Sequence, residues 1–305
     1  MKYIIIIVFI VFASSKKETK SECDYIENYY QKIYRADIEY ETKNYEKAFE
    51  IYQDAFNSCE PINTETYNEI TNFAETCAIL GKNKLAIEFI KYQVKRGYEI
   101  KWLLENDNFD KIFASEQGKN LISEYDNLRK TALSKINLTL REEIKQMKIE
   151  DQKYRNADYQ ENFDKQEEID KYNTARIIEI FNEFGYPNET VIGSFSVDRT
   201  HVYISTMLLH TSDSIRTNYF IPKLTEFVRN GTCSPNTLGT VIDQYYLYNG
   251  EPQIYGTYNS KDGGYANMIS DLKKVDSNRI SIGLPPLKLK EKKDRLIQLR
   301  YGDRF

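Results

Sequence analysis

Two stretches of this chain repeat one spacing of small and large apolar residues at a fixed offset. Ala36, Ala48 and Tyr52 are answered 38 positions later by Ala74, Ala86 and Ile90. An offset of this size marks a helical hairpin used twice. Small Ala residues let paired helices approach, and aromatic residues fill the gaps between them. From Asp24 to about Leu133 only Pro61 interrupts the helical pattern, and strand-like alternation is absent. The spacing predicts a helical module over 24–135, with Trp102 to Phe113 as a capping segment. The fold class expected is mainly α: helical hairpins, then an α-rich domain with a small β-hairpin.

The N-terminus carries a different signal. Lys2 is followed by ten apolar residues, Tyr3 to Phe12, and then by Ala13-Ser14-Ser15. A short positive start, an apolar run and small residues form a secretory signal peptide over 1–15. The run is too short to span a bilayer comfortably. The expected location is therefore the periplasm or the exterior, with no membrane span after cleavage. Cys23, Cys59, Cys77 and Cys233 would then meet an oxidising compartment. Four cysteines allow three full pairings, and Cys59–Cys77, flanking one helix–helix connection, is the first choice. The net charge of −4 among 305 residues gives no global signal for nucleic acid.

The texture changes from Leu138. Leu140, Ile144 and Met147 form one helix face, and Asp151 falls on the same stripe, with Arg155 one turn on. A buried carboxylate is costly unless answered, so a partner for Asp151 is required. A polar stretch, 156–171, follows. Helices are expected at 176–184, stopped by Gly185-Tyr186-Pro187, at 200–209, at 218–230 and at 267–276. Tyr245–Tyr248, the turn Asn249-Gly250, and Gln253–Tyr258 read as the hairpin. Residues 288–305 form a basic tail, read as a solvated helix.

Two resemblances follow from these residues. Ala36, Tyr40, Tyr45, Ala48, Tyr52, Ala55 and Pro61 resemble the tetratricopeptide pattern, whose period is about 34. The run Met147, Asp151-Gln152, Arg155, Gly185, Pro187, Gly193, His210, Asp243, Gly250, Gln253, Tyr255-Gly256-Thr257, Asp276, Arg279 and Gly283-Leu284 resembles family 6624 of the bacterial domains of unknown function. That second resemblance covers 138–287 and implies no assigned activity. Related sequences usually carry Arg directly after the acid matching Asp243, where this chain has Gln244.

Two functional readings arise. In the first, the chain is a binding or scaffold protein of the bacterial envelope. Its repeats hold a protein or peptide, and Gln152, Arg155, Gln253, Tyr255 and Arg279 hold a small ligand. In the second, it is a metal-independent hydrolase or transferase. His210 is the general base, and Asp151 or Asp243 orients it. His201 and His210 lie nine positions apart, about half a rotation on one helix, so no metal shared by the two is expected; no cofactor is expected either. Cys233 is a weaker candidate nucleophile beside His210. Oligomeric state is not encoded in these features.

Overall fold

A computed structural model of the chain describes residues 23–64, 68–155 and 160–302. The apolar leader read at 1–15 lies outside the described residues.

The first half forms two helical hairpins. Helices α1 (Tyr30–Glu41) and α2 (Tyr45–Ser58) make the first, and α3 (Glu69–Ile79) and α4 (Asn83–Val94) the second. The residues that share the 38-residue offset lie at the helix contacts, with Ala36, Ala48, Tyr52, Ala86 and Ile90 all wholly buried. The turns repeat as well. Lys43 (φ 61°) and Gly81 (φ 71°) take the same left-handed position in each hairpin. Lys accepts there a conformation that glycine adopts without steric cost. Phe73 knits the hairpins together, with its ring 5.5 Å from Phe49 and 4.7 Å from Phe89.

A disulfide joins Cys23 to Cys59 at the end of α2. The expected Cys59–Cys77 bridge does not form, because Cys77 sits on the buried face of α3 as a free thiol. The bridge spans a sequence separation of 36. Restricting a loop of that length in the unfolded chain contributes about 4 kcal/mol in the entropic account. Reduction with dithiothreitol should therefore lower the urea midpoint sharply, and a Cys59→Ser variant should match the reduced protein. An unchanged midpoint would show that the bridge does not form in solution.

Beyond the hairpins, short turns at Ile100–Leu104 and Asp110–Ala114 lead into α5 (Glu116–Leu133), which packs back on α4. The second half contains α6 (Leu138–Gln152), α7 (Phe163–Phe184), α8 (Ile221–Arg229), α9 (Pro235–Tyr248), α10 (Leu272–Ser281) and α11 (Leu287–Tyr301). Gly185, at φ 71°, ends α7 as the sequence predicts. Arg216–Phe220 is a π-helical turn ahead of α8.

Three expectations change. No β-hairpin forms among the described residues, which show only isolated bridges, Gln253–Met268 and Asn259–Tyr265. Tyr245–Tyr248 instead completes α9, which is capped by Ser234 and primed by Pro235 at its first turn. Nor does 200–209 form one helix: only Ser205–Leu208 is helical, and the His201 ring stacks on Phe195 at 4.5 Å. Finally, the tail is not simply solvated. Helix α11 packs along α1, with the Lys293 ammonium buried against Asp37, and Arg300 lies 3.1 Å from Glu41.

One contiguous core runs through both halves. The Tyr30 hydroxyl donates to the Val228 carbonyl at 2.9 Å, and Gln31 Nε2 to the Leu284 carbonyl at 2.8 Å. Gly231 lies under the Tyr25 ring and Gly283 under the Tyr30 ring. A Cβ at either position would come within 2.7 Å of ring atoms. No described helix is long and apolar enough to cross a membrane.

Candidate functional site

The stripe on α6 is buried as the sequence predicts. Leu140, Ile144, Met147 and Asp151 all face the core, and Asp151 has no exposed surface. Its partner is His210, whose Nδ1 lies 2.9 Å from Asp151 Oδ1. Gln152 Nε2 donates to the other oxygen at 2.5 Å. Arg155 lies just past the helix end. Its Nε donates to the Asp151 carbonyl at 2.9 Å, its Nη2 stands 3.7 Å from Asp151 Oδ1, and the same nitrogen pairs with Asp170. Gln166 Nε2 bridges the Asp151 carbonyl and Asp170 Oδ1, each at 3.0 Å.

His210 is held from its own backbone. Arg216 is almost wholly buried, and its Nη2 donates to the carbonyls on either side, Leu209 at 2.9 Å and Thr211 at 2.8 Å. The imidazole is 20% exposed. Against an ionised carboxylate Nδ1 must donate, so neutral His210 keeps its lone pair on Nε2. Among the described residues, Nε2 has no hydrogen-bond partner. Burial pushes the Asp151 carboxyl up. The hydrogen bond and charge of His210, with Gln152 and Arg155, outweigh it and hold the group below the ordinary carboxylate range.

Asp151, Asp170 and His210 bring three potential ligand atoms within 4.8 Å of one another. The Arg155 guanidinium already supplies positive charge between the two acids. A divalent cation there would have to displace it, so the donor set fits a guanidinium better than a metal.

A second acid works the same way by different means. Arg141, buried on α6, donates to Asp198 at 2.7 Å and to the carbonyls of Ile192, Gly193 and Thr200. This pairing holds the Asp198 carboxyl well below its usual range. An acid whose folded pKa is depressed adds stability above its unfolded pKa, about 3.9, and loses it as pH falls through the folded value. Urea midpoints measured from about pH 5 downward should therefore fall, and Asp198→Asn should flatten that slope. An equal slope in the variant would remove Asp198 from the account.

Asp243, Gln253, Tyr255 and Arg279 come together elsewhere. Asp243 accepts from the amides of Ile254 at 2.8 Å, Tyr255 at 2.9 Å and Thr257 at 2.9 Å, and from the Thr257 hydroxyl at 2.9 Å. Gln253 Nε2 donates to the Tyr258 carbonyl at 2.8 Å, and its Oε1 accepts from the Tyr258 amide at 3.0 Å. Arg279 donates to the carbonyls of Pro285 and Tyr255, both at 2.5 Å. Tyr255 is buried, and burial pushes its hydroxyl up to about 12. These groups hold the 253–258 loop where a hairpin was expected. Among the described residues no hydrogen bond or ion pair joins them to Asp151 or His210. Burial raises the Asp243 carboxyl despite its four donors. Asp243→Ala would leave three backbone amides without their acceptor. It should cost about 3 kcal/mol or more in urea unfolding; a cost under about 1 kcal/mol would mean the loop finds other partners.

Cys233 is buried near Tyr30, whose hydroxyl lies 3.3 Å from the Cys233 carbonyl, and among the described residues no hydrogen bond joins it to His210. Gln244 is buried, and its Oε1 has no hydrogen-bond partner among the described residues. Asp170, Gln166 and Arg216 were not foreseen. A signal existed for the first two: Gln166 and Asp170 continue the apolar spacing of Thr174, Ile177 and Phe181 backward along α7, as Asp151 continues its own stripe.

Residues 132–304, more than half of the chain, match the family of unknown function DUF6624. The match includes both His210 and Asp151 and runs over the basic tail. No curated protein and no solved structure matches the chain.

Proposed function

The chain belongs to the DUF6624 family, and from that premise we propose that its second half catalyses a metal-independent hydrolysis or group transfer, with His210 as general base. One observation carries this reading. A wholly buried carboxylate is aimed at His210 Nδ1, while Nε2 is left with no described partner. Asp151 fixes the tautomer and supports the imidazolium formed when Nε2 takes a proton from water or a substrate hydroxyl. Arg155 and Gln152 hold Asp151, Gln166 braces Asp170, and Arg216 positions the loop that carries His210. Asp243 is left out of this role because its oxygens are already engaged by the 253–258 loop.

The test is a panel of chromogenic esters, phosphoesters, glycosides and peptide anilides, run with chelator present on the wild type and His210→Ala. General-base catalysis contributes about two to four orders of magnitude. Turnover on any member should fall by that much in the variant. A turnover that persists in His210→Ala removes His210 from the chemistry.

The binding reading keeps one structural support. The first half holds two consecutive helical hairpins, and we assign them to the tetratricopeptide class as a proposal. Their α1 face is already covered by the chain's own α11, so a partner would have to use another face or displace the tail. Export to the periplasm or the exterior is likewise a proposal, supported by the leader-like start and by the Cys23–Cys59 bridge, which persists in an oxidising compartment.

A further inference from the structure

Helix α11 sits on the hairpins mainly by charge. A docked helix ordinarily buries an apolar stripe, yet past Leu287 the one buried residue of α11 among those described is Lys293. Leu296 and Ile297 are half-buried, and Leu299 is exposed. The face beneath is built for cations. Lys293 pairs with Asp37, and its Nζ lies 5.6 Å from the centre of the Tyr34 ring. Arg300, two turns along the same side of the helix, repeats the arrangement. Its Nη1 lies 3.1 Å from Glu41, its Nη2 3.9 Å from Glu75 and 3.2 Å from the Tyr40 hydroxyl, and its guanidinium 5.1 Å from the Tyr40 ring centre. Each cation meets a carboxylate and an aromatic ring together. Among the described residues, acids outnumber cations on this face. Asp37, Glu41 and Glu75 stand against Lys293 and Arg300, and the wholly buried Glu69 joins the same cluster. Burial and Asp37 push the Glu69 carboxyl well above its usual range, and Lys293 draws it back. The remaining cations of α1 do not serve this cluster: Lys32 pairs with Asp54 and Arg35 is exposed.

We propose that this face of the hairpins is a receptor for a basic helix of a partner protein, one presenting two cations seven positions apart, and that α11 is its built-in competitor. The kind of ligand the face takes is the kind it already holds. A buried ion pair gains little beyond its own desolvation, so one basic helix replaces another at little cost. An incoming helix with additional Lys or Arg gains from the acid that α11 leaves unmatched. An acidic or purely apolar segment would leave Asp37 and Glu41 without a cation. The start of α11 is pinned by separate bonds to α10: Arg279 donates to the Pro285 carbonyl at 2.5 Å, and the Leu287 amide to Asp276 at 2.8 Å. The helix beyond Leu287 therefore comes away without unmaking the second half. The inference rests on the binding reading of the hairpins and not on the dyad, so its failure leaves the chemistry of His210 untouched and a partner confined to another face.

The experiment uses the full chain and a labelled, end-blocked peptide with the sequence of residues 287–301, followed by fluorescence anisotropy. In the wild type α11 competes, which lowers the apparent affinity by the fraction of chains whose face is open. Lys293→Ala should loosen the resident helix and bind the peptide about tenfold more tightly than the wild type. Arg300 is 40% exposed, so Arg300→Ala perturbs the fold less and should tighten binding about threefold. Adding Asp37→Ala to Lys293→Ala should weaken binding again by about tenfold or more. A peptide carrying Lys293→Ala and Arg300→Ala should bind about tenfold more weakly than the native one, and added NaCl should weaken the native peptide. An unrelated alanine–glutamine helix with one Lys and one Arg seven positions apart should displace the label. The proposal is overturned if both tail variants bind no more tightly than the wild type, or if the peptide without the two cations binds as well; α11 is then a fixed part of the fold. It is also overturned if the wild type sediments as a dimer that Arg300→Ala dissociates, which gives the face to α11 of a second copy.

Discussion

Asp37→Ala should lower the stability of the whole chain by about 3–5 kcal/mol, the cost of removing one member of a buried ion pair. Asp37 is 1% exposed and Lys293 4%. The same carboxylate also accepts from the Tyr52 hydroxyl. One substitution therefore takes an ion-pair partner from the ammonium on α11 and a hydrogen-bond acceptor from the phenol on α2. Lys293→Ala should cost a similar amount by stranding the carboxylate. The double variant Asp37→Leu with Lys293→Met should recover most of the loss, because replacing both charges by apolar groups removes the desolvation that the pair offsets. Surface pairs such as Lys47–Glu50, both more than half exposed, should contribute less than about 1 kcal/mol. Urea midpoints of the three variants decide the matter. If each single variant loses less than about 1 kcal/mol, the tail helix does not dock on α1 in solution. In that case the basic tail is the solvated helix that its charge pattern predicts.

The hairpins were legible because their signal is local. A 38-residue offset in Ala36, Ala48 and Tyr52 reports helix contacts within each hairpin, and helix contacts need small residues wherever they occur. Asp151 was legible for the same reason, since its position on an apolar stripe demands a partner. The identity of His210 as that partner is a long-range fact, 59 positions away, which periodicity does not carry. The expected hairpin failed on a competition between local rules. Asn249-Gly250 fits a two-residue turn, yet Gly250 at φ 77° serves equally well just past a helix end. Ser234-Pro235 had already started that helix. The tail failed on composition. Lys and Arg in a run read as a solvated face, and it is Asp37, on a helix far back in the chain, that pairs with the buried Lys293. The Cys59–Cys77 pairing failed because sequence proximity says nothing of which helix face a cysteine occupies.

Asp151→Asn should separate catalysis from stability at the dyad. The change keeps the shape of the side chain and removes a buried charge. Arg155 retains Asp170, so no cation is stranded. Despite burial, the partners of Asp151 hold its carboxyl below the ordinary range and so favour the charged form in the fold; thermal stability should therefore fall modestly, by about 1 kcal/mol. Turnover should nevertheless fall by about two to four orders of magnitude, because a neutral amide neither enforces the Nδ1 proton nor supports an imidazolium. His210→Ala should behave differently. It leaves Asp151 Oδ1 without its nearest donor, so stability falls by about 1–3 kcal/mol along with activity. Calorimetry and turnover on the same three proteins read both quantities. If Asp151→Asn melts several degrees lower while turnover, where any is found, stays at the wild-type rate, Asp151 is a core acid answered by a structural histidine. The catalytic reading then fails.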